Sequence, residues 1–162
     1  DVHQLNETNQ LIRDTKHNVV SLIGVLEHVR GPRELLKEIK YNSNIEFLYI
    51  SVPTFSFTVF LEMLSPDFFH RHLSSAHTHL YTEDSIKHLA NEFDLEIIGE
   101  WWFGADAVDL FRHLSLNLEK EKSSRKVKNY FSDNFKPIID SLQLQLDKKK
   151  FGSEVHVLFK KK

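Results

Sequence analysis

The chain opens with polar residues 1–17, in which Leu5 and Ile12 trace a loose helical stripe. A continuous apolar run follows, Val19-Val20-Ser21-Leu22-Ile23-Gly24-Val25-Leu26. Its length and its β-branched side chains predict a strand buried on both faces, as in a parallel sheet. Gly31-Pro32 then starts a new element, because a proline at a first helical position presets φ and gives up an N–H that would find no helical partner. Leu35, Leu36 and Ile39 form the single apolar stripe of a short helix. A second strand runs from Phe47 to Val52 and is stopped by Pro53, which has no N–H for a ladder.

Residues 54–82 lose this regularity; they are aromatic and rich in histidine, with a helical turn or two around Phe57 to Leu64. Thr82 reads as an N-cap, with Glu83 and Asp84 complementing the helix dipole in the first turn. Ile86, Leu89, Ala90 and Phe93 keep the i, i+3, i+4, i+7 spacing of a helix packed on a sheet. Leu95 to Phe103 is a third strand. Ala107, Leu110, Phe111, Leu114 and Leu118 mark another helix, and a longer one extends from Ser124 to Leu146, where Pro137 should kink or split it. Val155, Val157 and Phe159 alternate with His156 and Leu158 in a final strand. Strands alternating with helices define an α/β class, here a single domain spanning residues 1–162.

Composition narrows the functions. The net charge of -2 gives no basic field for nucleic acid. The lysines at 148–150 and 160–162 read as solvated ends. With no cysteine there is neither disulfide nor thiol chemistry, which fits a reducing cytoplasm. Charges interrupt every apolar stretch, so no membrane span is expected. The chain begins at Asp1 and its only methionine is Met63, so it is read as a piece of a longer protein.

Val25-Leu26-Glu27-His28-Val29 is similar to the fourth-strand motif of class I S-adenosylmethionine-dependent methyltransferases, especially those acting on small molecules. Gly31-Pro32-Arg33-Glu34-Leu35-Leu36 resembles the helix start that follows it there, and Ile50-Ser51-Val52-Pro53 the end of the fifth strand. His79-Leu80-Tyr81-Thr82 resembles a motif before the next helix, and Leu95 to Phe103 stands as a sixth strand. The resemblance covers roughly residues 18–104. It implies a partial Rossmann-like sheet made of the family's strands 4, 5, 7 and 6, with flanking helices. It also implies an acceptor-side loop region at 54–82 and a two-helix insertion at 105–147. The family's Gly-x-Gly loop and its ribose-binding acidic residue are not in this sequence, so weak or absent S-adenosylmethionine binding by the chain alone is expected.

By the same resemblance, Ile23, Gly24, Val25, Leu26 and Glu27 would line the cofactor, with Gly24 allowing close approach. His28, His79 and Tyr81 are the candidate catalytic residues, a histidine or tyrosine serving as general base. Structural roles stand beside these: Glu27 capping a helix, His28 packing on the sheet, and loop histidines simply exposed. Some members bind a divalent metal through Glu-x-x-Glu-His at this place; Gly24 interrupts that pattern, so no metal is expected there. His70, His72, His77 and His79 could alternatively hold zinc. Phe55, Phe57, Phe60, Phe68 and Phe69 would wall an apolar acceptor pocket or cover the sheet.

The expected partner is a small-molecule acceptor, with no nucleic acid and no membrane. A competing reading is a non-catalytic α/β interaction module that forms a homodimer or swapped assembly through an exposed Val19–Val25 strand edge. A plain flavodoxin-like domain is weakened by the lack of a phosphate loop.

Overall fold

A computed structural model describes residues 2–73 and 76–162, the side chains of residues 2–6 excepted. The Leu5 side chain therefore lies outside the described residues. Four strands form one sheet: β1 (Val19–Ile23), β2 (Phe47–Pro53), β3 (Leu95–Phe103) and β4 (Glu154–Lys161), in the order β1-β2-β4-β3. β1 and β2 are parallel, with Val19 opposite Phe47 and Ile23 opposite Ser51. β4 runs the other way. Its end donates from Lys161 N to Glu46 O at 2.8 Å, and its start is joined by Thr54 N to Ser153 O at 3.1 Å. This α/β arrangement, with one reversed strand between the second and the edge strand, is the 4-5-7-6 order that the sequence implied.

The chain divides into two compact units. The first comprises Asp1–Pro53, Ser75–Trp101 and Val155–Lys162; the second comprises Thr54–Ser74 and Trp102–Glu154. The core of the first unit follows strand alternation. Leu48, Ile50 and Val52 of β2 are each 1% exposed, and Val155, Val157 and Phe159 of β4 no more than 2%. α2 (Pro32–Tyr41) starts with its proline in the first turn and buries Leu35, Leu36 and Ile39. α4 (Glu83–Glu92) begins in a capping box, where Thr82 Oγ1 accepts from Ser85 N and Ser85 Oγ accepts from Thr82 N. α1 (Val2–Asp14) packs on α2, buries Ile12 and is tied by a double hydrogen bond from Arg13 to Glu38.

Two readings of the first strand are corrected. β1 stops at Ile23 instead of running to Leu26, because Gly24 turns to a φ of 63° and leaves the ladder. Nor is β1 buried on both faces. It is an edge strand in which only Leu22 is buried, while Val19 is 50% and Ile23 64% exposed. Burial on both faces requires a layer packed over each of them, and along β1 only Leu22 is covered; among the described residues β1 also has a strand neighbour on one side only.

The second unit carries α3 (Phe57–Leu64), α5 (Asp106–Lys120), α6 (Arg125–Phe135) and α7 (Ile139–Lys148). Pro137 does split the long helix, into α6 and α7 with a 3-10 turn at Lys136–Ile138 between them. The insertion thus runs as α5 followed by the long helical stretch divided at Pro137, as the proline predicted. Phe111, Phe131 and Phe135 hold α5 to α6, with ring centroids 5.2–5.7 Å apart. At its centre lies the fully buried Asp106, which accepts from Thr58 N at 3.0 Å, Thr58 Oγ1 at 2.7 Å and Ser153 N at 2.8 Å.

Candidate functional site

Ligands of open α/β sheets bind beyond the carboxyl ends of strands. At that end of β1 the chain makes a tight turn from Gly24 to His28. Gly24 N donates back to Ser51 O at 3.1 Å, and His28 N donates to Val25 O at 3.0 Å. The positive φ at Gly24 is a backbone state that side chains other than glycine's disfavour. Leu26, fully buried, and Val29, 5% exposed, plug the turn into the core, while Ile23 faces outward.

A second segment clamps this tip. Thr78 N and His79 N both donate to Glu27 O, at 2.7 and 3.3 Å, and Thr78 Oγ1 donates to the same carbonyl at 2.9 Å. Tyr81 N donates to Pro53 O at 3.0 Å, so residues 76–81 run across the ends of both β1 and β2.

Ring orientations follow from these partners. His28 Nδ1 lies 2.8 Å from Ala76 O, which can only accept, so Nδ1 is the donor there, and Nε2 faces Glu27 Oε1 at 3.7 Å. The Thr78 hydroxyl lies 2.9 Å from Glu27 O and 2.8 Å from His79 Nδ1, so it fixes the His79 ring and leaves Nε2 as that ring's other nitrogen.

Tyr81 is a different case. Its ring is 5% exposed, and its hydroxyl donates to Leu26 O at 3.4 Å. Burial, and secondly the Glu27 carboxylate, push the phenol well above its ordinary pKa. A phenol held this way donates to the Leu26 carbonyl and acts as a strut for the wall.

His79 and Tyr81 line a cavity of about 450 Å³ together with Arg30, Arg33, Ser85 and His88. Arg33 in that wall is engaged by Glu92 at 3.0 Å. Ile23–Glu27 and His28 are not among the lining residues, so the expected site residues fall into a strand tip and a neighbouring cavity of the same unit.

The histidine-rich segment does not act as one cluster. In the second unit, Glu62 is buried and accepts from Arg71 N, His72 N and Leu73 N and from His72 Nδ1 at 2.8 Å, with His70 Nδ1 at 3.9 Å. In the first unit His77 stacks against His28, with centroids 4.9 Å apart. Among the described residues, the one group of donors close enough to share an ion is Glu27, His28 and His77. Spacing along the chain gave no sign of that group, because His77 reaches the tip only through the fold. Of the phenylalanines, Phe55 packs on Phe60, and Phe57 and Phe60 pack on Phe151, while Phe68 is buried and Phe69 is 81% exposed.

The strand order, with helices flanking the sheet, defines an α/β domain with a partial Rossmann-like sheet. No protein-family model matches the chain. No curated protein matches it. Solved structures similar to it include an S-adenosylmethionine-dependent methyltransferase from Archaeoglobus fulgidus, at 13% identity and TM-score 0.49 over 95% of this chain and 65% of that one. The small RNA methyltransferase HEN1 matches at 11% identity and TM-score 0.49 over 93% of this chain and 15% of its own. Phosphoethanolamine N-methyltransferase 2 from Haemonchus contortus, in complex with S-adenosyl-L-methionine, matches at 12% identity and TM-score 0.43 over 89% and 33%. The chain thus spans between 15 and 65% of the lengths of these structures. Among the described residues, no helix is long and apolar enough to cross a membrane.

Proposed function

We propose that the chain is the C-terminal, acceptor-side part of an S-adenosylmethionine-dependent methyltransferase acting on a small molecule. The observation that carries this reading is the β1 tip: a left-handed Gly24 followed by a buried Glu27, clamped by the 76–81 segment that also opens the 450 Å³ cavity. The fit to the cofactor is partial. The bare backbone at Gly24 suits close approach of a ligand, and Ile23 to Glu27 would form one wall, but no Gly-x-Gly loop accompanies them.

When bound, S-adenosylmethionine supplies a methyl group on a positively charged sulfur. The chain's own work is then to hold the acceptor and to receive its proton. His79 Nε2 is the base in the cavity wall, with Thr78 fixing its ring. His28 is the alternative base at the tip, its ring fixed by Ala76 O. Tyr81 orders the wall through Leu26 O. Holding the partners aligned is the main source of rate in such a transfer.

The test is amide chemical-shift mapping with S-adenosylhomocysteine at millimolar concentration. Ile23, Gly24 and Leu26 should shift, with a Kd of about 1 mM or weaker, worth no more than about 4 kcal/mol. Shifts that spare the tip and fall elsewhere, or no shifts at all, sink the proposal.

A second reading, a non-catalytic module, rests on the exposed edge residues Val19 and Ile23 of β1. An uncovered strand edge is a template for pairing, and a homodimer or swapped assembly through it is its consequence.

A further inference from the structure

The cavity beside the strand tip holds more positive charge than proton transfer needs. Arg30, Arg33, His79 and His88 line it, and among the described residues of its wall none is an aspartate or glutamate. We propose that the cavity binds a small amphipathic anion, with Arg30 and the two imidazoles holding its carboxylate or phosphate. That this anion is the methyl acceptor rests on the function proposed above; the binding itself does not.

The chain as a whole has a net charge of -2, so a wall of one sign is a local feature and not a sample of the surface. Glu92 is the acid that partners these cations, lying 3.0 Å from Arg33 Nε and 3.5 Å from His88 Nε2. A single carboxylate cannot neutralise both arginines. Arg30 is exposed and, among the described residues, pairs with no acid. Its guanidinium is a planar fork of N–H donors that matches the paired oxygens of a carboxylate or phosphate. The start of α2 adds to this field: Gly31 gives it no side-chain cap, and the positive end of the helix dipole opens on the cavity.

Size and lining set the rest of the ligand. About 450 Å³ falls within the roughly 300–1,000 Å³ of small-molecule sites and is far more than a bare inorganic ion fills. Pro32 and Leu89 supply apolar wall, so the body attached to the anion is apolar. Arg30 is suited to anchor such a ligand during methyl transfer. A guanidinium keeps its charge at physiological pH, so it does not compete with His79 for the proton that the acceptor gives up.

The experiment is a titration of the whole chain with phenyl phosphate, benzoate, benzyl alcohol and benzylamine, followed by amide chemical shifts. At least one of the two anions should bind with a Kd of about 1 mM, a modest efficiency for ligands this small, and should shift Gly31 and Leu89. The tighter anion identifies the preferred group. The neutral and cationic probes should bind at least about tenfold more weakly, a difference of about 1.4 kcal/mol. Arg30→Gln, at an exposed position, should weaken the tighter anion by about tenfold, the scale of a charge-assisted hydrogen bond. Lys37→Gln removes an exposed cation of α2 outside the cavity and should leave affinity unchanged. Should Arg30→Gln fail to fold, the four probes on the parent chain still decide. No anion binding, equal affinity for benzyl alcohol or benzylamine, or unchanged affinity in a folded Arg30→Gln overturns the proposal. So does an equal loss in Lys37→Gln, or shifts confined to the Gly24–His28 tip. Anion binding without any response to S-adenosylhomocysteine removes methyl transfer and leaves the anion site; the reverse pattern removes the anion site alone.

Discussion

Asp106 concentrates the stability of the second unit in one side chain. It sits in the first turn of α5, fully buried, and gathers donors from α3 and from the residue before β4. Asp106→Ala strands the amides of Thr58 and Ser153. The Thr58 hydroxyl can turn to another acceptor, and Gln143 keeps Asp147 at 2.7 Å. Two buried amides without partners cost about 1–3 kcal/mol each. Removing the carboxylate also relieves its own desolvation, which offsets part of that loss. The net destabilisation is about 3 kcal/mol, against about 5–15 kcal/mol of total stability for a typical domain. For a chain of this size, each kcal/mol moves Tm by about 2–4 °C, so the variant should melt about 6–12 °C lower by circular dichroism. Asp106→Asn, which keeps the shape and one acceptor oxygen, should lose roughly half as much. Thr58→Val, which removes only the hydroxyl, should lose about 1 kcal/mol. An Asp106→Ala chain that melts within about 1 °C of the parent refutes the network, since even one stranded amide exceeds that.

Gly24→Ala forces a side chain into the left-handed region and should cost about 1–2 kcal/mol in urea unfolding, with the Gly24–His28 amides losing exchange protection first; an unchanged midpoint would contradict the strain. For Glu62, burial alone favours the neutral acid, but hydrogen bonds from Leu73, His72 and Arg71 outweigh it and hold the carboxyl below its usual 4.5. Its folded pKa is thus lower than its unfolded one. The stability it confers is complete above about pH 4.5 and drains away as pH falls through the folded value. Acid titration should therefore show a loss below pH 4.5 that Glu62→Gln abolishes; identical acid limbs would reject this. If β1 pairs between copies, sedimentation at micromolar concentration should show a dimer in the parent and a monomer in Val19→Lys/Ile23→Lys, and a monomeric parent would rule the edge out.

Where local patterning dictated structure, the sequence could be read almost to the residue. Leu95–Phe103 is a strand with the expected bounds, Thr82 caps α4, and Pro137 divides the helices. Each of these depends on a propensity or a cap that neighbours in sequence supply. The run from Val19 was read too long because hydrophobicity does not distinguish a strand residue from one plugged into the core by a turn. Leu26 is as buried as any strand residue, yet it lies beyond the Gly24 break. Edge position was equally silent, since the side chains of β1 look the same whether one or two strands flank it.

The polar core shows the same division from the other side. Asp106 and Glu62 read in sequence as ordinary helix carboxylates, a first-turn acid and a mid-helix acid. Burial of either is tolerable only because amides from distant segments converge on them. Glu27 is buried by the same plan but lacks the full set of partners: its backbone carbonyl collects three donors, while Oε2 of its side chain collects none. Within one small chain, two buried carboxylates are richly supplied and a third is left short, and the third is the one beside two imidazoles at a strand tip. The difference lies in which distant segments reach each carboxylate: residues 71–73 and 153 bring amides to Glu62 and Asp106, while the segment that reaches Glu27 spends its donors on the backbone carbonyl.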